Sequence, residues 1–285
     1  MEEYTISGIG ILHPGQMGIS VAAAARNSGH TVYWVSAGRS AQSRARAEQH
    51  GLLDAGSLER LCQECDLILS VCPPHAAEEV AGAVAGCGYG GIYVDANAIA
   101  PQRAVAIGEQ VSRAGASFVD GGIIGGPAWK PGTTWLYLSG PQASAVAACF
   151  AAGPLETEVI GAEIGKASAL KMCYAAYTKG TTALLAAILG AAETLGVRAE
   201  LEAEWGRGGS AFAQETQRKV REATAKAWRF VGEMEEIAAT FEAAGMPGGF
   251  HRAAADIYTR MAGFKDAPNT PPLDEALAAL ERPSG

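Results

Sequence analysis

The sequence predicts an α/β chain in two parts: a doubly wound, mainly parallel sheet, then an all-α domain built on one long central helix. Three observations carry this expectation. Up to about residue 160, short β-rich runs alternate with helical stretches, the pattern that feeds strands and crossover helices into a parallel sheet. The first apolar run ends in a glycine-containing turn, His13-Pro14-Gly15-Gln16-Met17-Gly18, which opens at once into an alanine-rich helical pattern. From Gly165 onward the β signal vanishes, and Lys166 to Leu195 reads as one helix. The expected domains are therefore residues 1–161 and 162–285.

In order, the strands are expected at Thr5–Leu12, Thr31–Val35, Leu67–Val71, Gly91–Asp95, Ser117–Asp120, Trp135–Ser139 and Thr157–Ile160. Each is a short run rich in β-branched, aromatic or large apolar residues and bounded by turn formers. Helices are expected at Met17–Ser28, Ser40–Gly51, Ser57–Glu64, His75–Ala85, Pro101–Ala114 and Ala143–Ala152. Serine before a helical run and proline at its first position are start signals, which places the starts at Ser40, Ser57 and Pro101. The helix over 166–195 would be about 45 Å long. Its run Ala183-Leu184-Leu185-Ala186-Ala187-Ile188-Leu189 is apolar on nearly every face, so it needs cover all round. A homodimer packed through this helix supplies that cover.

The 285 residues suffice for a large core and for two domains. A formal net charge of −8 excludes the broad basic surface that nucleic acid or an anionic membrane attracts. The longest apolar stretch, Ala183 to Ala192, is about half the roughly 20 residues of a membrane span. Met1-Glu2-Glu3 leads straight into the first strand, with none of the character of a signal segment. A cytoplasmic protein is expected. The six cysteines are scattered, and Cys62-x-x-Cys65 has no second pair to complete a metal site. Ordinary thiols in a reducing compartment are expected, and no metal.

The opening turn bears the first chemistry. A helix N-terminus after a glycine turn faces negative charge, so the stretch predicts a dinucleotide pyrophosphate beside His13, Pro14, Gly15, Gln16 and Met17. Gly15 would let the backbone approach the phosphates and Gly18 would let the helix pack closely on the strand; His13 stands where the motif's first glycine is usual. In such a Rossmann domain an acid near the end of the second strand binds the NAD ribose hydroxyls. Here no Asp or Glu occurs from Thr31 to Ala47, whereas Ser36, Arg39 and Ser40 are available. A guanidinium with hydroxyl partners suits a 2′-phosphate, so the expected cofactor is NADP(H). Val71, Cys72 and Pro73 close the next strand with a rigid turn toward the adenosine side, and Asn97 ends the strand after it. Ligands sit at such strand ends, which makes Asn97 a candidate for the nicotinamide ribose or the substrate.

Gly15-Gln16-Met17-Gly18, the Asn97…Pro101 loop, Asp120-Gly121-Gly122-Ile123-Ile124-Gly125-Gly126 and Gly165-Lys166-Ala167-Ser168-Ala169-Leu170-Lys171 together resemble the β-hydroxyacid dehydrogenases. That group includes the 3-hydroxyisobutyrate and 6-phosphogluconate dehydrogenases. The resemblance spans essentially the whole chain. The runs Lys171 to Gly180 and Gly245 to His251 are similar to a poorly characterised branch with a 6-phosphogluconate-dehydrogenase-like C-terminal domain. The resemblance implies that Lys171 is the general acid/base for the substrate oxygen. Elementary chemistry agrees, because a lysine on an apolar helix face beside a cationic ring has its pKa pushed toward working pH. Where the family has Asn, this chain has Tyr174; where it has the serine that binds a carboxylate, this chain has Ile124 before Gly125. The usual Lys-Asp contact is also missing at Gly232-Glu233-Met234. With Trp129 and Trp135, these changes point to a more apolar or aromatic substrate. His251 either borders the substrate or is a surface or capping residue, and Lys179 either faces the pocket or pairs on the helix surface.

The expected activity is hydride transfer between NADP(H) and the C–OH/C=O carbon of a small, relatively apolar substrate, with Lys171, Tyr174 and Asn97 as catalytic residues. Imine reductases share the architecture, and C=N reduction is the alternative. A non-catalytic NADPH-binding protein is a third reading.

Overall fold

The structure, a computed structural model, describes residues 6–265 and 267–281. The chain divides into two compact units, Met1–Met172 and Cys173–Gly285. The first contains β1 (Gly8–Ile11), α1 (Gln16–Asn27), β2 (Thr31–Trp34), α2 (Ala41–Gln49), β3 (Leu53–Asp54), α3 (Leu58–Glu64), β4 (Leu67–Ser70), α4 (Ala77–Gly86), β5 (Ile92–Asp95), α5 (Pro101–Arg113), β6 (Ser117–Gly125), β7 (Thr134–Ser139), α6 (Ala143–Ala148) and β8 (Glu156–Gly161). The strands form one sheet in the order β3-β2-β1-β4-β5-β6-β7-β8. All neighbours are parallel except the antiparallel pair β6–β7.

Leaving β1, the chain winds first toward β2 and later returns on the other side at β4. The crevice at that reversal is where a doubly wound sheet receives a ligand. One face of the sheet buries Ile9, Ile11, Val32 and Leu69 with Ile19 and Val21 of α1. The other buries Ile68 and Tyr93 with Ile107 and Val111 of α5. Burial on both faces explains why these strands read as apolar runs rather than alternating ones.

A continuous helical segment crosses from the first unit into the second: α7 (Lys166–Ala175), a π-helical turn (Ala176–Gly180) and α8 (Thr181–Thr194). The uniform α-helix expected over 166–195 is thus corrected to two α-helices joined by a π turn. Such a turn leaves carbonyls to find new donors. Here the Tyr258 hydroxyl donates to the Lys179 carbonyl at 2.7 Å and the Thr178 hydroxyl to the Tyr174 carbonyl at 3.1 Å. The second unit continues with α9 (Arg198–Trp205), α10 (Phe212–Thr224), α11 (Ala227–Ala243), α12 (Gly249–Met261) and α13 (Leu273–Leu280). Within it α8 packs on α10, α12 and α13, yet Leu184 remains exposed on its outer side. No helix among the described residues is long and apolar enough to cross a membrane.

Two further differences from the expected elements matter for the site. Strand β3 is only two residues long, too short for a periodic signal, and it pairs with the end of β2 in the register Trp34↔Asp54. Strand β6 runs on through Gly121 and Gly122 to Gly125, because pairing with β7 satisfies a backbone that the glycines alone mark as a break. Of the first expected strand, Thr5 lies outside the described residues.

Candidate functional site

The turn between β1 and α1 is built for a close anionic partner. Gly15 precedes α1 with no side chain capping the helix, and no acidic residue occupies the first turn. The N–H groups there are left without a side-chain acceptor. A Cβ at Gly15 would meet nothing within 4 Å, whereas one at Gly18 would collide with the carbonyl of His13. Pro14 is buried and Gln16 exposed, and the half-buried Met17 side chain packs on the core. The His13 Nδ1 and Arg39 Nε atoms are buried with no hydrogen-bond partner. Burial, and then the neighbouring Arg39 charge, push the His13 imidazole down to about 4, so the ring is neutral at pH 7. Burial also lowers the Arg39 guanidinium from its ordinary value, and it stays protonated. Unsatisfied donors and an uncapped helix fit a nicotinamide dinucleotide: the turn over 13–18 would hold its pyrophosphate and Arg39 its adenosine end.

At the end of β2, strand pairing brings in an acid from beyond the Thr31–Ala47 interval. Asp54 Oδ1 accepts from the Ser36 N–H at 3.1 Å and from the Gly56 N–H at 2.9 Å. Burial pushes this carboxyl up, but hydrogen bonds from the Ser36 hydroxyl and from both backbone groups, with the Arg44 charge, hold it below the usual carboxylate range. Ser40 caps α2 by accepting from Ser43 N–H at 3.2 Å. Strand register, not sequence proximity, puts Asp54 beside Ser36.

The ends of β4 and β5 are clamped by Asn97. Its Oδ1 accepts the Cys72 N–H, while its Nδ2 donates to Ser70 Oγ at 3.2 Å and to Asp95 Oδ2 at 3.0 Å. This buried side chain thereby fixes the Val71-Cys72-Pro73 turn. Burial pushes the Cys72 thiol up to about 11, which leaves it uncharged. Burial likewise pushes Asp95 up to about 7 against the bonds from Asn97, and the neighbouring Asp120 carboxylate adds to the rise.

Lys171 is positioned from two sides. Asp120, wholly buried, accepts the N–H of Gly165 and of Ser168 at 3.0 Å each. It also accepts the Ser168 hydroxyl at 2.6 Å and the Ser139 hydroxyl at 3.0 Å. It therefore anchors the start of α7, a little under one turn before the half-buried Lys171. On the second side, a Cβ at Gly122 would stand 2.6 Å from the Ala167 carbonyl oxygen and 3.2 Å from Lys171 Cβ. Only a glycine lets β6 lie this close to α7. Ile124 is buried, two residues farther along the strand, and Gly125 ends β6 exposed. Asp120 and Ser168 were not singled out from the sequence; an Asp before Gly-Gly and a Ser in the first turn of a helix are the signals that point to them.

The remaining candidates lie elsewhere. Trp129, half-exposed after β6, stacks on His50 at 5.0 Å between ring centroids. In the second unit Tyr174 is exposed. Lys179 forms an ion pair with Glu233 of α11, and its ammonium lies 5.0 Å from the Phe230 ring. Glu233 falls in the very segment where the sequence shows no Lys-Asp pair, and its partner comes from the π turn. His251 is neither a surface residue nor a cap, because α12 buries it between Phe241 and Phe250 at 4.4 and 5.4 Å. Burial lowers its pKa, and its Nδ1 has no partner.

Comparison with known proteins places this geometry. The model for the NAD binding domain of 6-phosphogluconate dehydrogenase matches residues 6–150, and a domain of unknown function, DUF1932, matches residues 192–261. An uncharacterised 28.5 kDa protein of Methanothermus fervidus is 32% identical over 168 residues, a stretch that spans 58% of this chain and 62% of that relative. The conserved protein MTH1747, of unknown function and described as similar to 3-hydroxyacid dehydrogenases, superposes with a TM-score of 0.67 at 27% identity over 90% of this chain and 97% of that one. The 3-hydroxyisobutyrate dehydrogenase of Mycobacterium tuberculosis, solved with L-serine, gives 0.70 at 19% identity over 98% and 100% of the two chains. An imine reductase of Streptomyces aurantiacus shares the fold at a TM-score of 0.53 and 19% identity, over 97% and 100%.

Proposed function

The chain belongs to the family of the NAD binding domain of 6-phosphogluconate dehydrogenase, within the β-hydroxyacid dehydrogenase superfamily, and on that premise we propose that it is an NADP(H)-dependent oxidoreductase acting on the C–OH/C=O carbon of a small, relatively apolar substrate. The observation that carries this reading is the placement of Lys171, on a helix anchored by Asp120 and pressed onto Gly122. When bound, the nicotinamide supplies or accepts hydride. Lys171 Nζ gives a proton to the substrate oxygen as a carbonyl is reduced and takes it back in the reverse direction. Asn97 holds the turn at Cys72 and Tyr174 orients the substrate oxygen. Ile124 lies on the same face of β6 as Gly122, since side chains two apart share a face, and it favours an apolar group over a carboxylate. Arg39, with its unpartnered Nε, supports the choice of NADP(H). The protein works as a cytoplasmic homodimer, with a second copy over the exposed side of the helix that carries Tyr177 and Leu184.

The test is turnover of aldehyde, ketone and hydroxy-acid panels with NADPH or NADP⁺ by wild type and Lys171→Ala. Loss of a general acid/base costs about 10²-fold or more in kcat. A Lys171→Ala enzyme within about threefold of wild type on its best substrate would overturn the assignment. C=N reduction is the second reading, favoured by Tyr174 at the position where the resemblance leads one to expect Asn. Cyclic imines in the same panel separate the two, and NADPH binding without turnover of any class would point to a non-catalytic role.

A further inference from the structure

Asp54 and Arg39 face the adenosine end of the cofactor site with opposite chemistry. Ser36, just past the end of β2, touches both: its carbonyl accepts the Arg39 N–H at 3.1 Å and its N–H donates to Asp54 Oδ1 at 3.1 Å. Against the effect of burial, hydrogen bonds and the nearby Arg44 charge hold the Asp54 carboxyl below its usual range, so it is ionised at pH 7. The same carboxylate is tied down by the backbone of Ser36 and Gly56 at 3.1 and 2.9 Å, so it cannot swing away without losing both bonds. A phosphate monoester dianion offers only acceptors. Beside Ser36 it meets the fixed negative charge of Asp54. A sugar hydroxyl has a proton of its own and can donate it to the Ser36 oxygen or to the carboxylate. Arg39, with a buried and unpartnered Nε, has the reverse preference: it is complementary to phosphate and indifferent to a bare diol.

We propose that Asp54, held beside Ser36, is a cofactor-specificity residue that reads the 2′ position of the adenosine ribose in opposition to Arg39. The protein therefore accepts both NADPH and NADH, with a smaller preference for the phosphorylated form than Arg39 alone would set. This inference rests on the dinucleotide reading of the site but not on the identity of the substrate or on Lys171. The sequence interval in which an acid is normally sought contains none, and Asp54 reaches the same place from the neighbouring strand.

Fluorescence titration of the purified protein with NADPH and with NADH tests it without any turnover. Asp54→Asn keeps an oxygen for the Ser36 and Gly56 N–H groups and removes the charge. It is expected to raise the ratio of Kd for NADH to Kd for NADPH at least fivefold over wild type. Arg39→Ala is expected to move that ratio down at least tenfold. If Asp54→Asn does not fold, Asp54→Ser retains a neutral acceptor for the turn and carries the same expectation. A ratio within twofold of wild type in the folded Asp54 variant overturns the proposal while leaving the cofactor reading intact. Failure of the wild type to bind either nucleotide overturns both.

Discussion

Asp120 grips Ser168 twice, taking its hydroxyl on Oδ1 at 2.6 Å and its backbone N–H on Oδ2 at 3.0 Å. The two residues stand 48 positions apart, and their union ties the start of α7 to the middle of β6. A buried carboxylate with its acceptor positions filled this way acts as a remote N-cap, favourable to the helix dipole. Removing it strands the donors of Ser139, Gly165 and Ser168 in the core. Asp120→Ala should therefore lose about 2–4 kcal/mol of stability by urea unfolding, with Asp120→Asn losing less because one acceptor oxygen survives. A loss under about 0.5 kcal/mol for the alanine variant would mean that the anchor is replaceable.

Gly122→Ala tests the second constraint on Lys171. Its added methyl would approach the Ala167 carbonyl to 2.6 Å, so α7 must shift or the strand must bend, at a cost of about 1–3 kcal/mol. We expect turnover to fall at least tenfold while NADPH binding changes by less than twofold. Equal losses in both would show that Gly122 serves the sheet as a whole rather than the Lys171 helix.

Asp95 makes stability pH-dependent in a particular sense. Its folded value of about 7 lies above the value of about 3.9 for an unfolded aspartate. The folded chain therefore binds more protons than the unfolded chain between these values. The contribution is present in full below pH 4 and is lost as the pH rises through 7, a decline of at most about 4 kcal/mol. Urea unfolding at pH 5 and pH 8 should show wild type weakening relative to Asp95→Asn at the higher pH. Parallel profiles for the two proteins would rule Asp95 out as the source.

His13 links cofactor binding to protons. Its folded value of about 4 lies below the ordinary 6.5, so the stability its neutral ring contributes is full above pH 6.5 and lost as pH falls through 4. Phosphate groups beside the ring would oppose that depression. Between pH 7 and 5, NADP⁺ affinity of the wild type should rise relative to that of His13→Gln, and calorimetry in two buffers should show proton uptake. A constant ratio would place the phosphates away from His13.

The outward face of the helix through α8 predicts assembly. Tyr177 is 71% exposed, Leu184 42% and Leu195 74%, unusual for large apolar side chains on one segment. Light scattering should give twice the chain mass, and Tyr177→Glu combined with Leu184→Glu should give the monomer. A monomeric wild type at micromolar concentration would remove this interface.

Much of the fold was legible. Among the described residues, seven of the eight strands and each helix of the first unit follow from apolar runs, serine and proline starts and glycine stops, because burial on both faces of a parallel sheet leaves a local signature. The Gly15–Gly18 turn was readable too, since a helix N-terminus at a strand end is a local pattern. The π turn was not, because its stability comes from Tyr258, 79 residues from the Lys179 carbonyl it satisfies.

Composition, periodicity and turn chemistry settled the architecture and the nicotinamide class of cofactor, each a property of residues adjacent in the chain. The side-chain contacts around the candidate site are long-range. Asp54 reaches Ser36 through the pairing of β3 with β2, Asp120 reaches Ser168 through the docking of α7 on β6, and Glu233 reaches Lys179 from a separate helix. Strand register and helix docking choose such partners by burying apolar surface over the whole unit. No window of sequence contains that sum, so these contacts emerge only when the chain is folded.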